Sequence, residues 1–298
     1  MEIKIANIKK FAIYHTIYTA SNIFYRFDWD ERIDDVVDCV SDKKAYFVYD
    51  EKNIVGGFTL KDNCLNYPFI VTPYDNRGYF WGVALNYAMR TSRKNELFLN
   101  EIPEADAEVL IHSHGAKLRW SKRKMLRPTE LCEPSLCDGF YFDNLMKADK
   151  MEVVKVIYEA HAAGYTSTIW KPDMVGIEAS VERRFDLFGQ TNSLFISNVV
   201  RSSKDNQIVG VCIAGIYPDS ENYSTKDFAT INELSVKPQY QRKGIARAMI
   251  LKSISDASKT SPVMTLGVLI GNPSEKLYKD VGFKQGASYS ELLYTVYV

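Results

Sequence analysis

The sequence has no excess of charge of either sign. Its 298 residues carry 37 Lys and Arg against 37 Asp and Glu, for a formal net charge of zero. That removes the global attraction on which nucleic-acid and anionic-membrane binding depend. No stretch approaches the ~18 consecutive apolar residues of a membrane span. The opening MEIKIANIKKFAIYHTIY has neither a long apolar run nor a small-residue cleavage site, so no signal peptide is expected. The five cysteines are odd in number and irregularly spaced, and Cys132 and Cys137 fit neither a redox CxxC nor a zinc knuckle. Thiols in a reducing cytoplasm are the expectation. Of four histidines only His112 and His114 are close, and two-residue spacing sets them on different faces of a helix. No metal site is expected.

What is present is an ordinary globular composition, 46% apolar and 25% charged, enough to build a real core. The length suggests two domains. The chain also repeats itself once. Asn53-Ile54-Val55-Gly56-Gly57 matches Gln207-Ile208-Val209-Gly210-Val211, each after an apolar run. Phe69 to Pro73 matches Glu233 to Pro238, and each precedes a helical run, Trp81 to Ser92 and Gly244 to Ala257. Each half closes in an alternating segment, Leu118 to Leu126 and Ser288 to Val298. Two copies of one domain are expected, residues 1–137 and 138–298, joined where Pro, Glu, Cys and Ser cluster. The largest insertion, Tyr217 to Asp227, reads as a surface loop.

In the second copy, a strand is expected over Phe140–Asn144 and helices over Ala148–Ala163 and Asp173–Phe188. Strands follow at Ser193–Arg201, Gln207–Tyr217 and Ala229–Val236. A helix over Gln241–Ser258, a strand over Val263–Leu269 and a short helix Ser274–Asp280 complete a mixed α/β pattern before a final strand.

The strongest local signal is Val236-Lys237-Pro238-Gln239-Tyr240-Gln241-Arg242-Lys243-Gly244-Ile245-Ala246. A buried strand ends at a proline, and a basic, glycine-containing turn opens a helix. A helix N-terminus offers unpaired N–H groups and a positive dipole end. A small residue there lets a diphosphate approach the backbone.

This segment resembles motif A of the GNAT acyltransferase superfamily, Q/R-x-x-G-x-G/A, which reads here Gln241-Arg242-Lys243-Gly244-Ile245-Ala246. Downstream, Asn272-Pro273 and Leu277-Tyr278-Lys279-Asp280-Val281-Gly282-Phe283 resemble the family's motif B, with Asn272 one position nearer the tyrosine than is usual. The resemblance implies a fold of two tandem GNAT-like domains, mixed α+β, each a twisted mixed sheet flanked by helices. It implies acetyl-CoA as co-substrate, no metal, and a small-molecule or peptide amine as acceptor, with oligomeric state left open. Leu234, Ser235 and Val236 would meet the pantetheine arm from a splayed strand. Gln241, Arg242, Lys243, Gly244, Ile245 and Ala246 would hold the pyrophosphate, with Asn272 a further contact. Glu233 would act as base through a water, and Tyr278 would protonate the departing thiolate.

The first copy looks degenerate. Counting from Pro73 sets Tyr79 against Gly244 and Trp81 against Ala246, and Ile111 and Ile102 replace Tyr278 and Asn272. Bulky rings at the turn are expected to block a diphosphate, leaving that copy structural. The basic run Lys117, Arg119, Lys122, Arg123, Lys124 and Arg127 falls on a closing strand and reads as a solvated face. By family analogy, Trp170, Asp173, Glu178, Tyr289 and Glu291 are acceptor-pocket candidates, suited to a cationic amine. The rival to an N-acetyltransferase is a non-catalytic acyl-CoA-binding or scaffold protein.

Overall fold

The computed structural model describes residues 1–19, 29–92, 94–217 and 228–295. Chain order begins β1 (Glu2–Ile5), α1 (Ile8–Tyr18), α2 (Trp29–Val40), β2 (Lys44–Asp50), β3 (Asn53–Lys61), β4 (Cys64–Ile70), α3 (Arg77–Ser92), β5 (Glu96–Pro103), α4 (Glu104–His114) and β6 (Lys117–Pro128). It continues β7 (Phe140–Asn144), α5 (Lys150–Ala163), α6 (Met174–Gln190), β8 (Asn198–Ser202), β9 (Ile208–Ile216), β10 (Ala229–Val236), α7 (Ile245–Ala257), β11 (Val263–Leu269), α8 (Ser274–Asp280) and β12 (Lys284–Thr295).

Contacts divide these elements into two units, residues 1–123 with 286–298, and residues 124–285. This differs from a division at residue 137. The first half of β6 belongs to one unit and the second half to the other, and β12 joins the N-terminal unit from Gly286 onward. The physical reason is strand pairing. β12 runs antiparallel to β5 from Tyr289↔Pro103 to Thr295↔Glu96 and buries Leu292 completely. A strand covers whichever sheet edge lets it pair and bury its apolar face, wherever it lies in sequence.

In the N-terminal unit the strands run β1-β2-β3-β4-β5-β12-β6. Phe11 and Ala12 of α1 and Val36 and Val40 of α2 pack on Ala45, Phe47 and Phe69 on one face. Phe80, Trp81, Ala84, Leu85 and Ala88 of α3 pack on Phe58, Leu65, Leu97 and Leu99 on the other.

In the C-terminal unit the order is β6-β11-β10-β9-β8-β7. β10 lies parallel to β11 and antiparallel to β9. Every residue of β9 from Ile208 to Gly215 is buried, because both faces are covered. Val153, Val154 and Ile157 of α5 and Phe185 and Phe188 of α6 cover one face through Val199, Val211 and Ile213. Ile245, Met249, Ile250 and Ile254 of α7 cover the other through Val209, Met264 and Leu266. Gly215 permits the closest of these approaches. A Cβ there would lie 2.4 Å from the Phe188 ring.

The repeat pattern and element types follow the sequence reading, with two local departures. Leu194–Ile196 is a 3-10 turn, so the expected strand begins only at Asn198. The expected helix from Gln241 begins at Ile245, since Pro238–Tyr240 form a 3-10 turn and Arg242 and Gly244 take left-handed backbone angles. Beyond Tyr217, the insertion expected at Tyr217 to Asp227 lies outside the described residues.

Candidate functional site

The site is built around the end of β10. On its β9 side the ladder runs to Val236↔Gly210. On its β11 side pairing stops at Ile231↔Leu266, although β10 continues to Val236 and β11 to Leu269. The two parallel strands therefore separate beyond Ile231. A register shift against β9 falls at the same place, between Ile231 and Glu233. Bulges of this kind bend a strand and re-aim its side chains. The result is an unpaired strand edge over the segment that contains Leu234, Ser235 and Val236. Period-two alternation sends Glu233 and Ser235 to one face of the sheet. Leu234 and Val236 pack on the other, with Ile245 and Met249.

The turn after β10 keeps a helix end open. Gly244 is the N-cap of α7 at φ +80°, and nothing lies within 4 Å of where its Cβ would stand. No side chain caps α7 and no acidic residue occupies its first turn. A helix of this length leaves its first N–H groups without intrahelical partners. Arg242, at φ +63°, is in a conformation that costs a non-glycine residue ~1–2 kcal/mol. Gln241, Arg242 and Lys243 are all exposed. Lys243 lies over the Phe140 and Tyr240 rings, and the Gln241 amide donates to the Val236 carbonyl at 3.0 Å. Ile245 is buried in the core and Ala246 half-buried. The open N-terminus, basic side chains and Cβ-free approach together fit a diphosphate.

Glu233 does not stand alone. Its Oε1 lies 3.1 Å from His161 Nε2 and accepts the Ser235 hydroxyl at 2.7 Å. The Glu233 side chain is 16% exposed and that of His161 23%. Burial works against charge on His161, but the bonded Glu233 carboxylate outweighs it and holds the imidazole pKa above its usual value. Burial likewise raises Glu233, yet the bond to His161 and the Ser235 hydroxyl prevail and keep its pKa below the usual carboxylate value. The pair forms one wall of a cavity of about 340 Å³ whose other linings include Ile157, Trp170, Lys171, Asp173 and Arg184. Such a volume suits a small organic ligand, for which pockets of ~300–1,000 Å³ are usual.

Tyr278 lies on α8 with its ring against Phe283 at 6.2 Å. Burial, then the negative charge of Glu233, drives its phenol pKa well above the usual value. Asn272 has a local job: its side-chain oxygen accepts the Ser274 N–H at 2.9 Å at the start of α8.

Of the acceptor-pocket candidates, Trp170 and Asp173 do line the cavity. Asp173 is already engaged, since its carboxylate caps α6 by accepting the Val175 and Gly176 N–H groups. Glu178 pairs with Lys150 at 2.9 Å. Tyr289 and Glu291 belong to the N-terminal unit, where Glu291 pairs with Arg119 at 3.0 Å.

Sequence reasoning missed His161 and Arg184. Both sit at apolar-face spacing on their helices, His161 four residues after Ile157 and Arg184 three after Val181. A titratable residue recurring on a buried helix stripe was the available signal.

In the N-terminal unit the count from the proline misaligns the turns. α3 begins at Arg77, four residues after Pro73, whereas α7 begins seven after Pro238. Aligned by helix start, Gly244 corresponds to Asn76. The Trp81 ring does not stand in the turn; it is wholly buried and donates to Asp106 at 3.2 Å. Asn76 itself closes the helix end by accepting the Tyr79 N–H at 3.1 Å. The basic run on β6 is partly engaged, with Arg119 on Glu291 and Arg127 on the Val281 carbonyl and Glu130. Among the described residues no group of His, Cys, Asp and Glu is arranged to hold a metal ion, and no helix is long and apolar enough to cross a membrane.

Residues 156–283 match the acetyltransferase (GNAT) family. The C-terminal unit is a GNAT-family domain. No curated protein matches the chain. Among solved structures, a GCN5-related N-acetyltransferase from Sphaerobacter thermophilus is similar at TM-score 0.67 and 14% identity, over 98% of this chain and 94% of that one. A GNAT-family acetyltransferase from Colwellia psychrerythraea gives 0.58 and 12%, over 99% and 100%. A tandem GNAT protein from the clavulanic acid biosynthesis pathway gives 0.56 and 10%, over 98% and 97%. At these identities the likeness is one of fold. The splayed β10 edge and the open end of α7 are the two features of the GNAT domain around which the remaining residues gather.

Proposed function

We propose that the C-terminal copy is an acetyl-CoA-dependent N-acetyltransferase acting on a primary amine of a small molecule or peptide. In this reading the two copies divide near residue 137, and the second alone carries the reaction. The observation that carries it is the loss of β10–β11 pairing beyond Ile231, leading directly to an uncapped helix end. Backbone groups of Leu234, Ser235 and Val236 pair with an extended amide-containing arm as a neighbouring strand would. One of their N–H groups polarises the carbonyl under attack. The turn Gln241, Arg242, Lys243, Gly244, Ile245 and Ala246 holds the diphosphate, and Asn272 offers its remaining amide donors.

Acetyl-CoA supplies a thioester, whose C–S bond breaks as the acceptor nitrogen bonds the acetyl carbon. The chain manages the protons. An alkyl ammonium has a pKa near 10.4, so it must give up a proton before it can attack. Glu233 and His161 receive it as a coupled pair. The carboxylate, its pKa held down, is alone a weak base, and the imidazole whose pKa it holds up is the stronger one. Tyr278 stays protonated and can give its proton to the departing sulfur.

The test is thiol release from acetyl-CoA against a panel of amines, alongside calorimetric binding of acetyl-CoA. Binding with turnover is expected. A chain that binds no acetyl-CoA refutes the reading. One that binds it but releases thiol with none of the amines, before or after Glu233→Gln and Tyr278→Phe, is a non-catalytic acyl-CoA-binding protein.

A further inference from the structure

The cavity beside Glu233 carries unspent positive charge. Arg184 donates Nη1 to the Ser180 carbonyl at 2.9 Å and to the Ser180 hydroxyl. Its Nε is buried and has no hydrogen-bond partner. No carboxylate among the described residues lies within ion-pair distance of it. Buried donors are nearly always satisfied, and one left bare on a cation at a cavity wall marks a missing acceptor. Lys171, at the rim, is exposed and likewise makes no ion pair among the described residues.

The acidic side chains tell the opposite story. Asp173 spends both oxygens on the N-cap of α6, and Glu233 spends one on His161 and Ser235. The cavity is therefore not built to hold a polycation. Its formal lining charges are Lys171 and Arg184 against Asp173 and Glu233, a sum of zero apart from His161. A zwitterion leaves that balance undisturbed, whereas a dianionic phosphate or a polyamine upsets it.

We propose that the acceptor is a small aminocarboxylate, an amino acid or a molecule like one, whose carboxylate binds the guanidinium of Arg184 while its amine faces Glu233 and His161. The proposal rests on the acetyltransferase reading and names its substrate class. Arg184, His161 and Glu233 line one cavity of about 340 Å³, so one small molecule can reach from the guanidinium to the pair. With Nη1 held by Ser180, the Nε–Nη2 edge is the part left for the ligand. If the side chain turns that buried edge into the cavity, a carboxylate can meet it with two parallel bonds. Lys171 adds long-range attraction at the mouth.

Matched acceptors test this: amino acids, their methyl esters and their decarboxylated amines, each assayed by thiol release with acetyl-CoA. The free acids are expected to exceed the other two in kcat/KM by about 10- to 100-fold, the worth of a charge-assisted bond. In Arg184→Met that ratio should collapse towards one through a rise in KM for the acids, with acetyl-CoA affinity unchanged. Arg184→Lys should restore part of it, since a lysine keeps the charge and loses the fork. Should Arg184→Met not fold, Lys171→Ala at the exposed rim should still lower the ratio by about 2- to 5-fold at low salt. Turnover of amines with no preference for a carboxylate overturns this inference alone. Failure of the wild-type chain to bind acetyl-CoA removes the acetyltransferase reading on which it stands.

Discussion

The same frame is filled in two ways within one chain. In each unit a helix pair packs on one sheet face, and a strand leads through a proline to a helix on the other. β4 and β10 each lose their parallel neighbour early, at Leu65↔Leu99 and Ile231↔Leu266. Beneath α1, however, the space over β4 is packed with rings: Phe11 meets Phe69 at 5.3 Å, and Tyr14 meets the same ring at 6.3 Å. Beneath α5, the corresponding space is a cavity with a carboxylate–imidazole pair in its wall. The helix ends differ in the same sense. α3 is closed by Asn76, and its Arg77 is bound to Asp106 at 2.5 Å. α7 is left bare and preceded by exposed basic residues. A backbone can thus keep the geometry of a site while its side chains convert the site into core. What sets the two units apart is which groups are left unsatisfied.

The sharpest way to break the comparison is at the carboxylate–imidazole pair, which has no counterpart among the described residues of the N-terminal unit. Glu233→Gln is expected to lower kcat/KM by about 10²- to 10⁴-fold, the usual worth of a general base, with acetyl-CoA affinity retained. It should also move the pH profile in a stated direction. The Glu233 carboxylate is what raises the His161 pKa against the effect of burial. Without it the imidazole pKa falls, so the acidic limb of residual activity shifts to lower pH. NMR titration of His161 gives the same answer independently. An unshifted limb would show that the pair does not govern the proton.

Next in size is the turn. Gly244→Asp puts a side chain on a backbone at φ +80° and a negative charge at the proposed diphosphate site. Acetyl-CoA affinity is expected to fall by about 100-fold, from roughly 1–2 kcal/mol of backbone strain plus charge repulsion. Calorimetry measures it, with circular dichroism to confirm folding. Tyr278→Phe follows at about tenfold in kcat with unchanged acetyl-CoA affinity, because the ring still packs on Phe283 and only the proton is lost.

Most of the frame was legible because it is written locally. Phe140–Asn144, Ala229–Val236, Val263–Leu269 and Ser274–Asp280 appear where period and turn residues set them. The turn at Gln241 to Ala246 was legible as an open helix start because proline, basic residues and a glycine follow one another in order there. What was not legible depended on contacts distant in sequence. His161 reads as one more member of an apolar stripe until Glu233, 72 residues away, is brought to it. β12 reads as the end of the second copy until it is seen to pair with β5. Asp173 and Glu178 read as acceptor ligands until their oxygens are found on the α6 cap and on Lys150. The proline count failed for a smaller reason. The number of residues between a strand and its following helix is not conserved by the fold, and only the helix start reveals which residue is the cap.

That last point gives the mildest and most discriminating test of the comparison. Asn76→Ala removes the side chain that closes α3 and leaves every element of the C-terminal unit untouched. An N-cap is worth ~1 kcal/mol, so thermal stability should fall by a few degrees at most. Acetyl-CoA should still bind at one site per chain. The rings over β4, the Arg77–Asp106 pair and the absence of basic residues at the turn other than Arg77 all persist in this variant, and uncapping alone does not make an anion site. A second equivalent of acetyl-CoA bound by Asn76→Ala would mean the opposite. The two units would then differ by a single cap, and the N-terminal copy would be a suppressed site rather than a structural one.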